Sequence, residues 1–133
     1  MTTAPTPSSD ATEVAATLAD LGALPEALIA ALRQEAAKFG HPLDELAEGA
    51  LQRAVMRLER DPYSGSVGVL VQWRNSSGRL QGELRLHRDG PSFAEYEILQ
   101  PHPKRSGFFI EAVTAWGRVG DLRSELRLLE MPQ

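Results

Sequence analysis

The sequence predicts an α+β protein: N-terminal helices, a four-stranded antiparallel sheet and a C-terminal helix. Three observations predict it. Leu43, Leu46, Ala47, Ala50, Leu51, Ala54, Val55 and Leu58 recur at i, i+3, i+4, i+7, i+8, i+11, i+12 and i+15, the apolar stripe of an amphipathic helix. From Val67 onward, apolar and polar residues alternate in short runs, as in strands with one buried and one wet face. Between the two patterns, Tyr63-Ser64-Gly65-Ser66 reads as a linker where the period changes from 3.6 to 2.

Residues 1–10, rich in Pro, Thr and Ser, are expected to form a disordered tail. Ala11 to Leu24 supports two readings. Val14, Leu18 and Leu21 stand at i, i+4 and i+7, with Asp10 or Thr12 to cap the start and Gly22 to end a short helix. The alternative is a strand over Leu18 to Leu24, which Ala19, Asp20 and Gly22 disfavour. Pro25 and Glu26 suit the first turn of the next helix, through Leu28, Leu32, Ala36 and Phe39, with Gly40 as its left-handed cap. Pro42, Asp44 and Glu45 then open the striped helix, and Asp61-Pro62 ends it. A helical module over residues 11–61 follows.

The β module spans residues 67–133. Val67 to Arg74 alternates through Val69, Val71 and Trp73, and Asn75 to Gly78 is a hairpin loop. In Arg79 to Arg88, Leu80, Gly82, Leu84 and Leu86 face one way. Phe93 to Leu99 sets Ala94, Tyr96 and Ile98 inward, Glu95 and Glu97 outward. The loop Gln100 to Gly107 leads to a fourth strand, Phe108 to Trp116. Asp121 can cap a closing helix through Leu122, Leu126 and Leu129, while a fifth strand through Ser124, Leu126 and Leu128 is the alternative. Trp73, Tyr96, Phe108 and Trp116 are the expected aromatic core.

Composition narrows the function classes. A chain of 133 residues, 42% hydrophobic and 24% charged, matches an ordinary globular domain. No apolar run approaches the roughly eighteen residues of a membrane span, and the first residues have no secretory pattern. With no cysteine, disulfides, thiolate metal sites and a cysteine nucleophile are excluded. A cytoplasmic location is the default expectation. The net charge is −4; residues 1–60 hold nine acids against five Lys and Arg, and residues 61–133 nine of each. Nucleic-acid binding would therefore need a local basic patch.

Leu24-Pro25-Glu26-Ala27-Leu28, then Leu32, Ala36, Gly40, Asp44-Glu45-Leu46 and Ala50-Leu51 resemble the helical part of the ribbon-helix-helix family of DNA-binding regulators and antitoxins. The resemblance covers residues 24–58 and implies a helical hairpin and a dimer. In that family a ribbon before the first helix reads the major groove. The matching positions here, Ala19, Leu21 and Ala23, offer nothing to a base edge. Pro42, Asp44 and Glu45 stand where the resemblance implies a phosphate clamp, without an N–H and with negative charge. DNA is thus disfavoured as a partner.

No catalytic constellation is expected. His41, His87 and His102 lack metal-ligand spacing, no Gly-x-Ser-x-Gly elbow or phosphate loop occurs, and no cofactor or metal is implied. The pairs Glu83 with Arg85 and Glu95 with Glu97 read as a wet sheet face. The local basic spot, His102, Lys104 and Arg105 between prolines, is the candidate partner-binding loop. Leu43, Leu46, Ala47, Ala50, Leu51, Ala54, Val55 and Leu58 are the candidate homodimer interface. The expected function is a non-enzymatic adaptor or regulator acting on an unidentified protein partner, the alternative a ribbon-helix-helix-type DNA-binding regulator or antitoxin.

Overall fold

The computed structural model describes residues 7–131, with side chains from residue 11 onward. Of the expected tail, residues 1–6 lie outside that range, and Pro7 to Asp10 open the first helix. Helix α1 (Pro7–Leu21) and helix α2 (Leu24–Ala37) meet at Gly22 and Ala23 with a bend of 70° between Ala11–Leu21 and Leu24–Ala37. Residues 11–21 are therefore helix, not ribbon. Six strands follow: β1 (Val55–Arg60), β2 (Val67–Arg74), β3 (Leu80–Leu86), β4 (Ser92–Pro101), β5 (Phe108–Arg118) and β6 (Asp121–Glu130). They form one sheet in chain order, and every neighbouring pair is antiparallel. The α+β class stands, but the sheet has six strands rather than four and closes on a strand rather than a helix.

The first extra strand comes from the segment expected to be the striped helix. Asp44–Leu46 and Ala50–Arg53 form two 3-10 turns instead. A 3-10 turn has three residues per turn, so the i, i+3 part of the stripe fits it equally well. The α-helix is interrupted where Ala47 is extended and Gly49 takes φ 84°, a left-handed conformation open to glycine. Leu43, Leu46 and Ala50 then turn into the core. Arg53 fastens the segment by donating to the carbonyl oxygens of Glu45 at 2.9 Å and Glu48 at 3.5 Å. From Val55 the period is two, with Met56 and Leu58 packed on the core and β1 paired to β2.

The second extra strand is β6. Arg118 pairs with Asp121, so Val119 and Gly120 form a two-residue hairpin loop. The hairpin places Leu122, Ser124 and Leu126 beside Gly117, Ala115 and Val113, which extend the inner face. Ten residues of ladder outweigh the modest helical preference of Asp121 to Glu130.

Among the described residues, helices cover only one face of the sheet. Alpha-helix α1 lies against β1 and β2, and α2 against β3 to β6. The core between them holds Leu28, Leu32 and Ala36 from α2, and Val69, Val71, Trp73, Leu84, Leu86, Ala94, Tyr96, Val113 and Ala115 from the sheet. This core is common to helices and strands, and the loop at residues 61–66 is simply the β1–β2 hairpin connection. Trp73 is 7% exposed, and its indole N–H donates to the Ala50 carbonyl at 2.8 Å. Beside it Gly82 leaves room for the Tyr96 ring; a Cβ there would collide with that ring and stand 3.1 Å from the Trp73 ring.

The expected aromatic core needs correction. Trp73 and Tyr96 are buried in it, but Trp116 lies on the other face, because its neighbours Val113 and Ala115 point inward. Phe108 is half-buried beneath the Arg105 guanidinium, 4.1 Å from the ring centroid. Trp73→Ala should lower stability by about 3–5 kcal/mol, whereas Trp116→Ala should lower it by about 1 kcal/mol or less. Urea melts of both variants check this; equal losses would place Trp116 in the core.

Burial, with a smaller push from the Glu45 charge, raises the Tyr96 phenol to about 12 from 10. A folded value above the unfolded one means this contribution is complete below pH 10 and lost as pH rises towards 12. Stability should therefore fall across that window, and Tyr96→Phe should flatten the fall. Denaturant melts at pH 9 to 12 make the measurement.

Candidate binding face of the sheet

Side chains alternate across a strand, so the face turned away from the helices is fixed by register. One row crosses all six strands as Arg57, Leu70, Arg85, Phe93, Trp116 and Arg123, each the partner of the next. Phe93 and Trp116 are half-buried and directly opposed, and arginines stand on both sides of them. The neighbouring row runs Val55, Gln72, Glu83, Glu95, Thr114 and Glu125. An aromatic and basic row thus lies against one in which three of the six residues are glutamates.

Ion pairs knit the acidic row and its surroundings together. Arg85 bonds Glu59 and stands 3.4 Å from Glu83. Burial alone would lower the Arg85 guanidinium, but the Glu59 hydrogen bond and the charges of Glu83 and Glu59 lift it above its usual value. Arg127 donates to both carboxylate oxygens of Glu95, at 2.6 and 2.9 Å, and to Glu111 at 3.1 Å. The Glu95 bond is the main reason its guanidinium is also raised. Arg79 meets Glu97 at 2.7 Å, and the Gln72 amide donates to Glu83 at 3.0 Å. Pairs this exposed stabilise the fold by about 0–1 kcal/mol each; their main effect is to hold long side chains flat over Leu70, Ala112 and Thr114. Among the described residues, Arg57 and Arg123 form no ion pair.

The expected partner loop is built differently from an open basic spot. His102 Nδ1 accepts from the backbone N–H groups of Lys104 and Arg105, each at 3.0 Å. Its ring meets Phe39 edge-on at 5.1 Å, and Arg105 covers Phe108. Two of the three residues are thus engaged within the chain, and Lys104 alone projects freely. The candidate dimer residues divide as well. Leu43, Leu46 and Ala50 are buried in the chain's own core, Ala47, Leu51, Ala54 and Leu58 are half-buried, and only Val55 is exposed. The continuous stripe does not exist, so it supplies no ground for a dimer. Ala19 and Leu21 lie in α1 and Ala23 at the bend; Leu21 is buried.

Sequence reasoning missed Phe93, Trp116, Arg57 and Arg123. The parity of β4 carried a signal: if Ala94, Tyr96 and Ile98 point inward, Phe93 points outward with Glu95 and Glu97. Trp116 was hidden by the register shift between Ile110 and Ala112, which no alternation rule reveals.

At one end of the sheet, Asp61, Ser64, Ser66, His87, Asp89, Gly90 and Pro91 line a groove of about 490 Å³. The backbone N–H groups of Tyr63 and Ser64 hold the Asp61 carboxylate below its usual value. No hydrogen bond among the described residues joins His87 to Asp61, Ser64 or Ser66, so a nucleophile–base pair is not assembled there. Among the described residues, no group of three His, Cys, Asp or Glu is placed to hold a metal ion. No single helix among them is long and apolar enough to cross a membrane. No protein-family model, no curated protein and no solved structure matches the chain. The sheet face is accordingly read on its own chemistry.

Proposed function

We propose that the chain is a non-enzymatic adaptor or regulatory protein acting by protein–protein contact, with its partner seated on the open sheet face. The observation that supports this is the Arg57–Leu70–Arg85–Phe93–Trp116–Arg123 row, in which Leu70 is buried and the other five reach the surface. Binding energy at protein interfaces concentrates on Trp, Tyr and Arg set in a partly desolvated surround. Here an opposed Phe–Trp pair supplies the apolar anchor, and Arg123 beside Trp116, outside any ion pair among the described residues, supplies directional donors, while Arg85 beside Phe93 is already held by Glu59 and Glu83. The partner surface that fits is an apolar side chain with a carboxylate beside it. A rigid ladder beneath keeps the contact residues pre-organised, which lowers the entropy lost on binding.

Aromatics between arginines would also suit the bases of a single strand. Among the described residues only Arg57 and Arg123 of that row stand outside ion pairs, however, too few free cations to neutralise a strand's phosphates. A protein segment, which needs no run of free cations, fits the face better.

The test is capture of partners from the source cell lysate with immobilised wild-type protein, Trp116→Ala and Lys104→Ala. Trp116→Ala should lose about 2 kcal/mol or more of affinity for a captured protein, as central aromatic anchors do, and Lys104→Ala should bind as wild type. Equal binding by Trp116→Ala, or loss only with Lys104→Ala, would move the site off the sheet face. Saturable binding of a single-stranded oligonucleotide that quenches Trp116 would replace the protein partner with a nucleic acid.

A further inference from the structure

The strand β6 forms an edge of the sheet, and among the described residues nothing pairs with its outer side. An edge strand carries a row of unpaired backbone donors and acceptors along its whole length. At ten residues, without proline, β6 is long enough to add another strand. Its open-face side chains Asp121, Arg123, Glu125 and Arg127 alternate in sign and are exposed. Among the described residues, Asp121, Arg123 and Glu125 form no ion pair.

We infer that β6 pairs antiparallel with β6 of a second copy about a two-fold axis through Ser124. The reason is charge self-complementarity. Two-fold pairing about residue 124 places each residue opposite the one whose number completes 248. Arg123 then faces Glu125 of the second copy, Glu125 faces Arg123, and Asp121 faces Arg127. On the inner face Leu122 meets Leu126, and Ser124 meets its own copy. Shifting the axis by one residue destroys the match. About residue 123, Arg123 faces itself and Asp121 faces Glu125; about residue 125, Glu125 faces itself and Arg123 faces Arg127. Opposite charges directly across an antiparallel pair stabilise it and like charges oppose it, so the register about Ser124 makes four opposite-charge contacts, the registers about residues 122 and 126 make two each, and those about residues 123 and 125 are penalised.

The central pairs matter most, because Arg123 and Glu125 are uncommitted, whereas Arg127 is already shared between Glu95 and Glu111. On the inner face Glu35 of α2 accepts the Ser124 hydroxyl hydrogen bond at 2.9 Å and is balanced by Lys38 at 3.1 Å. The opposite edge, β1, has six residues and its Glu59 is already held by Arg85. Joined through β6, two copies make one continuous sheet with both Phe93–Trp116 pairs on the same face.

Sedimentation velocity on the full chain tests the inference without any partner, so its failure leaves the docking reading untouched. Wild-type protein should sediment at twice the chain mass at about 50 µM. Arg123→Glu sets Glu against Glu at both central contacts and should weaken the dimer by about tenfold to a hundredfold; Glu125→Arg should do the same with Arg against Arg. Among the described residues of its own chain, neither residue has an ion pair to lose. An equimolar mixture of the two variants restores opposite charges at both contacts and should recover the dimer, as should the double variant Arg123→Glu/Glu125→Arg. A monomeric wild type, a dimer indifferent to either single change, or failure of both the mixture and the double variant to re-form it would overturn the inference.

Discussion

Everything in this fold depends on covering one face of a six-stranded sheet with two short helices. A helix of 14 residues spans about 21 Å, and five strand spacings amount to about 24 Å. Helices α1 and α2 diverge from their 70° bend, one towards β1 and β2, the other towards β3 to β6. Two divergent helices leave a gap. Leu43, Leu46 and Ala50 fill it, tied to Trp73 through the indole hydrogen bond. The irregular segment is therefore a structural plug, and its shape follows from the space left rather than from its own helical preference.

The uncovered face is a second consequence of the same shortage. Among the described residues no further helix buries it, so its apolar members must be covered from within the sheet. The Arg85, Arg127 and Arg79 pairings lay charged side chains across the strands, where Leu70, Ala112 and Thr114 are buried, and leave the half-buried Phe93–Trp116 pair as an apolar interruption. A face otherwise levelled by ion pairs gives that interruption prominence, and this is why the docking reading centres on it.

Much of the framework was legible in the residues. The alternation of β2, β3 and β4, the loops between them, and the Pro25-Glu26 start of α2 are local signals, and local forces decided them. What escaped was decided at a distance. Residues 43–58 satisfy a helical stripe on paper, but Gly49, the plug role and the pairing of Met56 and Leu58 into β1 divide it in three. Asp121 to Glu130 fits a helix as well as a strand until the ladder of β5 is available beside it. Trp116 looked like core because large aromatics usually are, and only the register shift in β5 shows which way it points. The docking face was visible in fragments: the outward parity of Phe93 could be read, but its alignment with Arg57 three strands of register away could not.

The order of strands in the sheet carries a kinetic meaning. Each strand pairs with the next in the chain, so every hairpin closes a short loop, and sheet growth requires no distant segment to be found first. The helices are the exception. They precede all six strands, while the surface that α2 covers is completed only by β5 and β6. On a ribosome, Leu28, Leu32 and Ala36 would emerge well before Val113 and Ala115 exist to receive them. Until the last hairpin forms, α2 must wait with its apolar side uncovered, and the molecule is most vulnerable to aggregation in that interval.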